Sequence, residues 1–198
     1  MPKALFPSIP ENMPTFSSSF GRAVGRVMLR VLGWRVTGTL PNEPKLVLVV
    51  APHTSNCDFI VAVAGLLAMG LRISPLMKKE AFIWPLKGLY LKLGFLPTDR
   101  RAAGGIVGQL HRMFDQHEKL WVGITPEGTR SKVERWKTGF LRIAADANVP
   151  VFLVGLDGRN KQFVLDKLVV ASDDFDTQAE QLRQYMHDKY EGINPENQ

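Results

Sequence analysis

Two short stretches of this chain carry side chains from which chemistry could be built. In the first, Pro52-His53-Thr54-Ser55-Asn56-Cys57-Asp58, four residues separate a histidine from an aspartate. With His53 just ahead of a helix and Asp58 in its first turn, the carboxylate can fold back to accept an imidazole N–H. That contact fixes the tautomer and leaves the other ring nitrogen free to take a proton from an alcohol. The same spacing also suits a plain helix cap. The second stretch is Thr125-Pro126-Glu127-Gly128-Thr129-Arg130-Ser131. Gly128 allows backbone to approach a ligand closely, Thr129 and Ser131 offer hydroxyls, and Arg130 offers a planar fork for phosphate; read blandly, it is a turn. A third segment, Gly94 to Arg101, delivers Arg100 and Arg101 together, which equally describes a solvated charge pair opening a helix. A different chemistry makes Cys57 or Ser55 a nucleophile with His53 as its base, giving a covalent enzyme intermediate. Neighbours that close to the base are poorly aimed at it, and Cys57 also suits a buried helix position.

The elements around these stretches decide whether they meet. Leu46-Val47-Leu48-Val49-Val50 is a continuous apolar run suited to a strand covered on both faces, and it ends where the histidine turn begins. Leu120 to Thr125 is a second such strand, ending at the Glu127 loop. Further strands are expected at Trp34–Thr39, Arg72–Met77, near Phe95, and at Val151–Leu156, with Gln162–Val170 as an edge strand. Helices are expected at Asp58–Gly70, Ala81–Leu93, Ala102–Glu118, Thr138–Ala147 and Asp176–Tyr190. This alternation predicts an α/β fold, a central and largely parallel sheet flanked by helices, whose ligand site lies at the carboxyl ends of the strands. Ahead of it, residues 1–33 form an N-terminal extension, and residues 34–198 form the main domain. In the extension, Phe20, Val24, Val27, Met28 and Val31 share one side of a helical wheel, with Arg22, Arg26 and Arg30 opposite. Such a basic amphipathic helix either lies in an anionic membrane interface or packs its stripe on the domain.

Composition narrows the function classes. The 198 residues carry 25 Lys plus Arg against 19 Asp plus Glu, a net +6, and 45% are apolar, which excludes a disordered or collagen-like chain. One cysteine excludes a disulfide scaffold and makes a reducing compartment the default. The proline-rich start, with Pro2, Pro7, Pro10 and Pro14, does not resemble a signal peptide. The longest uncharged apolar run, Phe59–Leu71, is short of the ~20 residues a membrane span takes and is expected to be a buried core helix. From Asp173 onward, seven acidic residues face only Arg183 and Lys189, a local net of −5 that leaves +11 on residues 1–172. A basic body implies polyanionic neighbours. Nucleic acid would call for aromatics interleaved with Lys and Arg; Phe82, Trp84, Trp121 and Phe152 lie in apolar runs instead. His111 and His117 lack the spacing of a zinc site and read as solvated, so no metal is expected.

Taken together, the order and spacing of these blocks resemble the glycerolphosphate acyltransferase superfamily, specifically the 1-acylglycerol-3-phosphate acyltransferases, from about Val31 to Gly158. The His-four-residues-Asp block is matched by His53 and Asp58, and Pro126 to Ser131 match Pro-Glu-Gly-Thr-Arg-Ser without change. Gly94, Phe95, Asp99 and Arg100 match the intervening block, and Val149-Pro150-Val151 the last. Lys78, Glu80 and Pro85 resemble the segment between blocks, with Ala81 in place of a usual Leu, and Lys137, Gly139 and Phe140 the stretch after the third. Pro52 stands where Asn is common, and the long hydrophobic N-terminal anchor of many members is absent.

The resemblance implies transfer of an acyl chain from acyl-coenzyme A or acyl carrier protein, as substrate rather than cofactor, to a hydroxyl of a lysophospholipid acceptor. His53 would be the general base and Asp58 its orienting partner. Arg100 and Arg130, with Lys78, would hold the acceptor's phosphate, Glu127 and Thr129 would shape its glycerol end, and Gly128 and Ser131 would complete the binding set. The expected setting is cytoplasmic and peripheral, on the anionic inner face of the membrane, with no nucleic acid partner. A non-catalytic lipid-binding module is the reading from a different class.

Overall fold

The apolar run Leu46–Val50 becomes the middle of a seven-stranded sheet. The computed structural model describes residues 6–16, 18–83, 87–88, 94–98 and 105–198, with Met77, Lys78, Ala81 and Thr98 described as backbone only. Its strands are β1 (Arg35–Gly38), β2 (Lys45–Ala51), β3 (Ser74–Lys78), β4 (Leu96–Thr98), β5 (Leu120–Ile124), β6 (Val151–Asp157) and β7 (Gln162–Val169). They lie in the order β1-β7-β6-β2-β5-β3-β4, and every pairing is parallel except the β6–β7 hairpin. The helices are α1 (Ser19–Leu32), α2 (Asn56–Met69), α3 (Gly105–Gln116), α4 (Gly139–Asp146) and α5 (Phe175–Lys189). The expected helix at Ala81–Leu93 falls largely outside the described residues, as does the start of the one expected from Ala102.

Because successive side chains of a strand point to opposite faces, the sheet builds two cores. Leu46 and Leu48 join Trp121, Phe152, Val154 and Leu156 under α1 and α2. Val47, Val49 and Ala51 join Val122, Val151 and Leu153 under α3, α4 and α5, where Phe114, Phe140 and Leu182 close the layer. Both faces of β2 are therefore dry, as its unbroken apolar pattern requires.

Two expectations are corrected. Gln162–Val169 is not an edge strand, since β7 sits between β6 and β1. Its polar alternation has a local cause: four-residue β1 pairs only with Gln162–Leu165, so Asp166–Val169 have no strand on that side. The helix α2 is not buried all round. Val61, Ala64 and Ala68 are covered, whereas Phe59 and Ile60 are nearly half exposed. In α1 the stripe read from the wheel divides, with Met28 packed against the core. Gly25 and Leu29 are its buried residues. Gly25 lies so close to α2 that an added Cβ would sit 2.3 Å from the Ala68 nitrogen. Phe20, Val27 and Val31, three of the five residues of the expected stripe, face outward at 78%, 61% and 79% exposure. Helix α1 thus has one apolar face on the domain and a second one bare. No described helix is long and apolar enough to cross a membrane.

Candidate active site

Strands β2 and β5 are parallel neighbours with Val49 opposite Ile124. The turn after β2 and the loop after β5 therefore leave the same edge side by side, which brings both sequence blocks together. Helix α2 starts at Ser55, the N-cap, whose hydroxyl accepts the Cys57 N–H at 3.0 Å. Asp58 completes a capping box, and it also reaches the imidazole, so the two readings of this spacing coexist. Its Oδ2 accepts the Thr54 N–H at 2.5 Å and the Ser55 N–H at 2.7 Å, and lies 3.2 Å from His53 Nδ1. Asp58 is buried, while the His53 side chain keeps 21% exposure. With Nδ1 turned to the carboxylate, Nε2 is the nitrogen left for a substrate proton.

From the other strand, Glu127 Oε1 accepts the His53 backbone N–H at 3.1 Å. Its Oε2 is buried with no hydrogen-bond partner. Burial raises the Glu127 pKa above the ordinary carboxylate value; hydrogen bonds from its own backbone and from His53 only partly offset that, and nearby Asp58 adds to it. An unpaired acceptor in such a place is costly when ionised, and it marks Glu127 as a group held for position rather than for stability.

His53 lines two cavities. The larger, about 590 Å³, is walled by Leu48, Val50, Ala62, Leu66, Phe95, Leu156 and other apolar groups; its polar side chains among the described residues are His53, Asp58, Thr125, Thr129, Arg130 and Lys137. Asp58 is the single carboxylate there and already faces His53. Arg130 and Lys137 thus bring positive charge to an apolar cavity in which, among the described residues, the one lining carboxylate already faces His53. Arg130 Nη1 donates to Asn56 Oδ1 at the start of α2. Lys137, which the sequence reading matched to a block but did not assign to the site, runs across Gly128. An added Cβ on Gly128 would lie 2.6 Å from Lys137 Nζ, and φ of 64° there is a second reason for glycine. The smaller cavity, about 30 Å³, is bounded by Thr54, Glu127, Ser131, Arg183 and Asn197 among others.

The structure therefore divides the expected binding set. Gly128, Thr129 and Arg130 line the large cavity, and Glu127 and Ser131 the small one. Lys78 is placed by its backbone at the end of β3, and Arg100 lies outside the described residues. Cys57, expected to fit a buried position, is exposed and borders neither cavity. That placement separates it from the cavities that His53 lines and gives the Cys57 nucleophile reading no support. His111 is not simply solvated: Nε2 is 3.2 Å from Asp115 and Nδ1 2.9 Å from Asp146, because α3 carries Asp115 one turn on and α4 ends beside it. His117 is exposed, with Nδ1 2.8 Å from the Met113 carbonyl. No group of three metal-ligating side chains converges among the described residues.

Residues 34–156 match the family model described as Acyltransferase. Among solved structures, the fold is similar to that of the 1-acyl-sn-glycerophosphate (LPA) acyltransferase PlsC from Thermotoga maritima, with a TM-score of 0.57 and 16% sequence identity over 86% of this chain and 80% of that one. At that identity the likeness is one of fold. No curated protein matches the sequence.

Proposed function

This chain belongs to the acyltransferase family, and from that premise we propose that it moves a fatty acyl chain from a thioester, acyl-coenzyme A or acyl carrier protein, to a hydroxyl of a lysophosphatidic acid-like glycerolipid. The observation that carries the proposal is His53 at the wall of a 590 Å³ apolar cavity with its Nδ1 held by Asp58. Such a cavity accepts an acyl chain, and the free Nε2 accepts the proton of an attacking alcohol. As the alcohol oxygen bonds to the thioester carbon, its proton passes to Nε2. The C–S bond then breaks and the proton follows to the departing thiolate. Asp58 orients the ring and stabilises the imidazolium. Backbone N–H groups around Gly128 and at the start of α2 are the donors we assign to the oxyanion. Arg130 and Lys137, with Arg100 and Lys78 by resemblance, meet the acceptor's phosphate. Glu127 acts from beneath, by fixing the His53 backbone.

The bare stripe of α1 supports a peripheral seat on the anionic, cytoplasmic face of a membrane. Phe20, Val27 and Val31 would enter the interface while exposed Arg26 and Arg30 meet lipid headgroups. A radiolabelled acyl-coenzyme A assay against a panel of lysolipids tests the reaction, and label should appear in a diacyl phospholipid. Label on no acceptor from either donor would sink the proposal. Substituting Arg26 and Arg30 by Gln should weaken binding to anionic vesicles by ~1 kcal/mol per residue and leave turnover of a detergent-dispersed acceptor unchanged.

A further inference from the structure

The family match ends at residue 156, yet the segment Tyr190–Gln198 reaches back to the turn that bears His53. Thr54, the residue between His53 and Ser55, is 2% exposed. Its hydroxyl accepts the Asn194 N–H at 3.0 Å, and its carbonyl accepts Asn197 Nδ2 at 3.0 Å. Gly192 lies against its side chain so closely that an added Cβ would sit 2.5 Å from Thr54 Cγ2. On the inner side, the Thr54 N–H is bound by Asp58. The segment is itself anchored: the Glu191 carbonyl accepts the Gly158 N–H at 2.7 Å, the Gln198 side chain closes a ring by bonding the Gly192 N–H and the Tyr190 carbonyl, and the Tyr190 hydroxyl donates to Asp166.

We propose that Asn194 and Asn197 are positioning residues, a strap that locks Thr54 from outside and so holds the His53 ring on Asp58. Glu127 clamps the neighbouring amide from the β5 side, so successive residues of the turn are restrained by two separate segments of the chain. This deepens the acyl-transfer reading and rests on it for the kinetic arm of its test. Neutral histidine in water favours the proton on Nε2. The Nδ1–H form is held here only while Asp58 is in place.

The test uses the full chain, wild type and the variants Asn197→Ala, Thr54→Val and Thr54→Ser, with two readouts. Long-range proton–nitrogen NMR of the His53 ring should show a single Nδ1–H tautomer in wild type and in Thr54→Ser, and a tautomer mixture in Asn197→Ala and Thr54→Val. Kinetically, kcat should fall about ten- to a hundred-fold in those two, the scale of a small misplacement at a reacting centre, with KM for both substrates within two-fold of wild type and recovery in Thr54→Ser. A role in folding alone would lower Tm without changing the tautomer. Retention of the wild-type tautomer in both disrupted variants overturns the proposal, whatever happens to turnover. A wild-type protein inert on every acceptor would refute acyl transfer instead, and the NMR result would still decide the strap.

Discussion

Asp166 and Asp58 are both carboxylates held in hydrogen-bond networks, and they have opposite characters. Asp166, on β7, accepts from Tyr185 at 3.1 Å and Lys189 at 3.0 Å on one oxygen and from Tyr190 at 2.9 Å on the other. Lys189 also sits over both phenol rings. Burial works against the Lys189 ammonium, but its hydrogen bonds to Tyr185 and Asp166 win and its pKa is raised; burial, then the Asp166 contact, push the Tyr190 phenol up. Each group in this network has its partner. Asp58 instead accepts two backbone N–H groups and an imidazole whose other nitrogen is free, and beside it Glu127 keeps an unpaired oxygen. A satisfied network rigidifies a fold; one left partly open, at a cavity wall, is held open at a cost in stability. On the proposed acyl transfer the second cluster is the place for chemistry, while the first fastens α5 and the segment after it to the sheet.

The hardest test of that contrast is to remove the centre of each. His53→Ala should lower kcat at least ~10²-fold and leave Tm and acyl-thioester binding nearly unchanged, because the imidazole acts on a proton in the transition state. Steady-state kinetics beside a thermal melt decides it; more than about a tenth of wild-type kcat would contradict a general base. Asp166→Asn should do the reverse. Losing the charge on a nearly covered acceptor of three hydrogen bonds should cost ~1–3 kcal/mol of stability, read by urea unfolding, while activity per folded molecule drops much less than in His53→Ala. Equal losses of turnover in both would erase the distinction.

The two regions were unequally legible in the sequence, for physical reasons. The His53 to Asp58 block and the Pro126 to Ser131 block each follow an apolar strand, so their convergence at one sheet edge follows from parallel pairing. What the chain pattern withheld depends on contacts between distant residues. Asp166 looked like one polar position in an alternating edge strand, because nothing local announces Tyr185, Lys189 and Tyr190. Nor does local pattern show that Asn194 and Asn197 meet Thr54, or that Glu127 turns toward the backbone of His53 while its neighbours turn to the large cavity. In α1, wheel geometry found an apolar stripe correctly, but which of two stripes is covered was decided by Gly25, whose lack of a side chain lets α2 approach there.

A smaller effect sharpens the contrast within the site. Arg130 spends one nitrogen on Asn56 and offers the rest of its fork to the large cavity. Arg130→Lys keeps the charge but loses the fork. It should raise KM for a phosphate-bearing lysolipid about ten-fold, as loss of one charge-assisted hydrogen bond would, with KM for the acyl thioester hardly altered. Equal shifts for donor and acceptor would remove Arg130 from the acceptor side.

The smallest expected effect concerns the unpaired oxygen itself. The Glu127 pKa is higher in the folded protein than in the unfolded chain, because burial opposes the charge. The folded state therefore holds its proton to higher pH, and stability must fall as pH rises above the unfolded carboxylate value and on through the folded one. Glu127→Gln keeps an oxygen for the His53 N–H and removes the charge that burial penalises. It should therefore flatten the decline, gaining up to ~1 kcal/mol over wild type at neutral pH and nothing near pH 4. Urea unfolding of both proteins across that range decides the matter. A variant less stable than wild type at neutral pH would mean that Oε2 has a partner worth more than its burial costs, and the site would then be as fully satisfied as the fastening around Asp166.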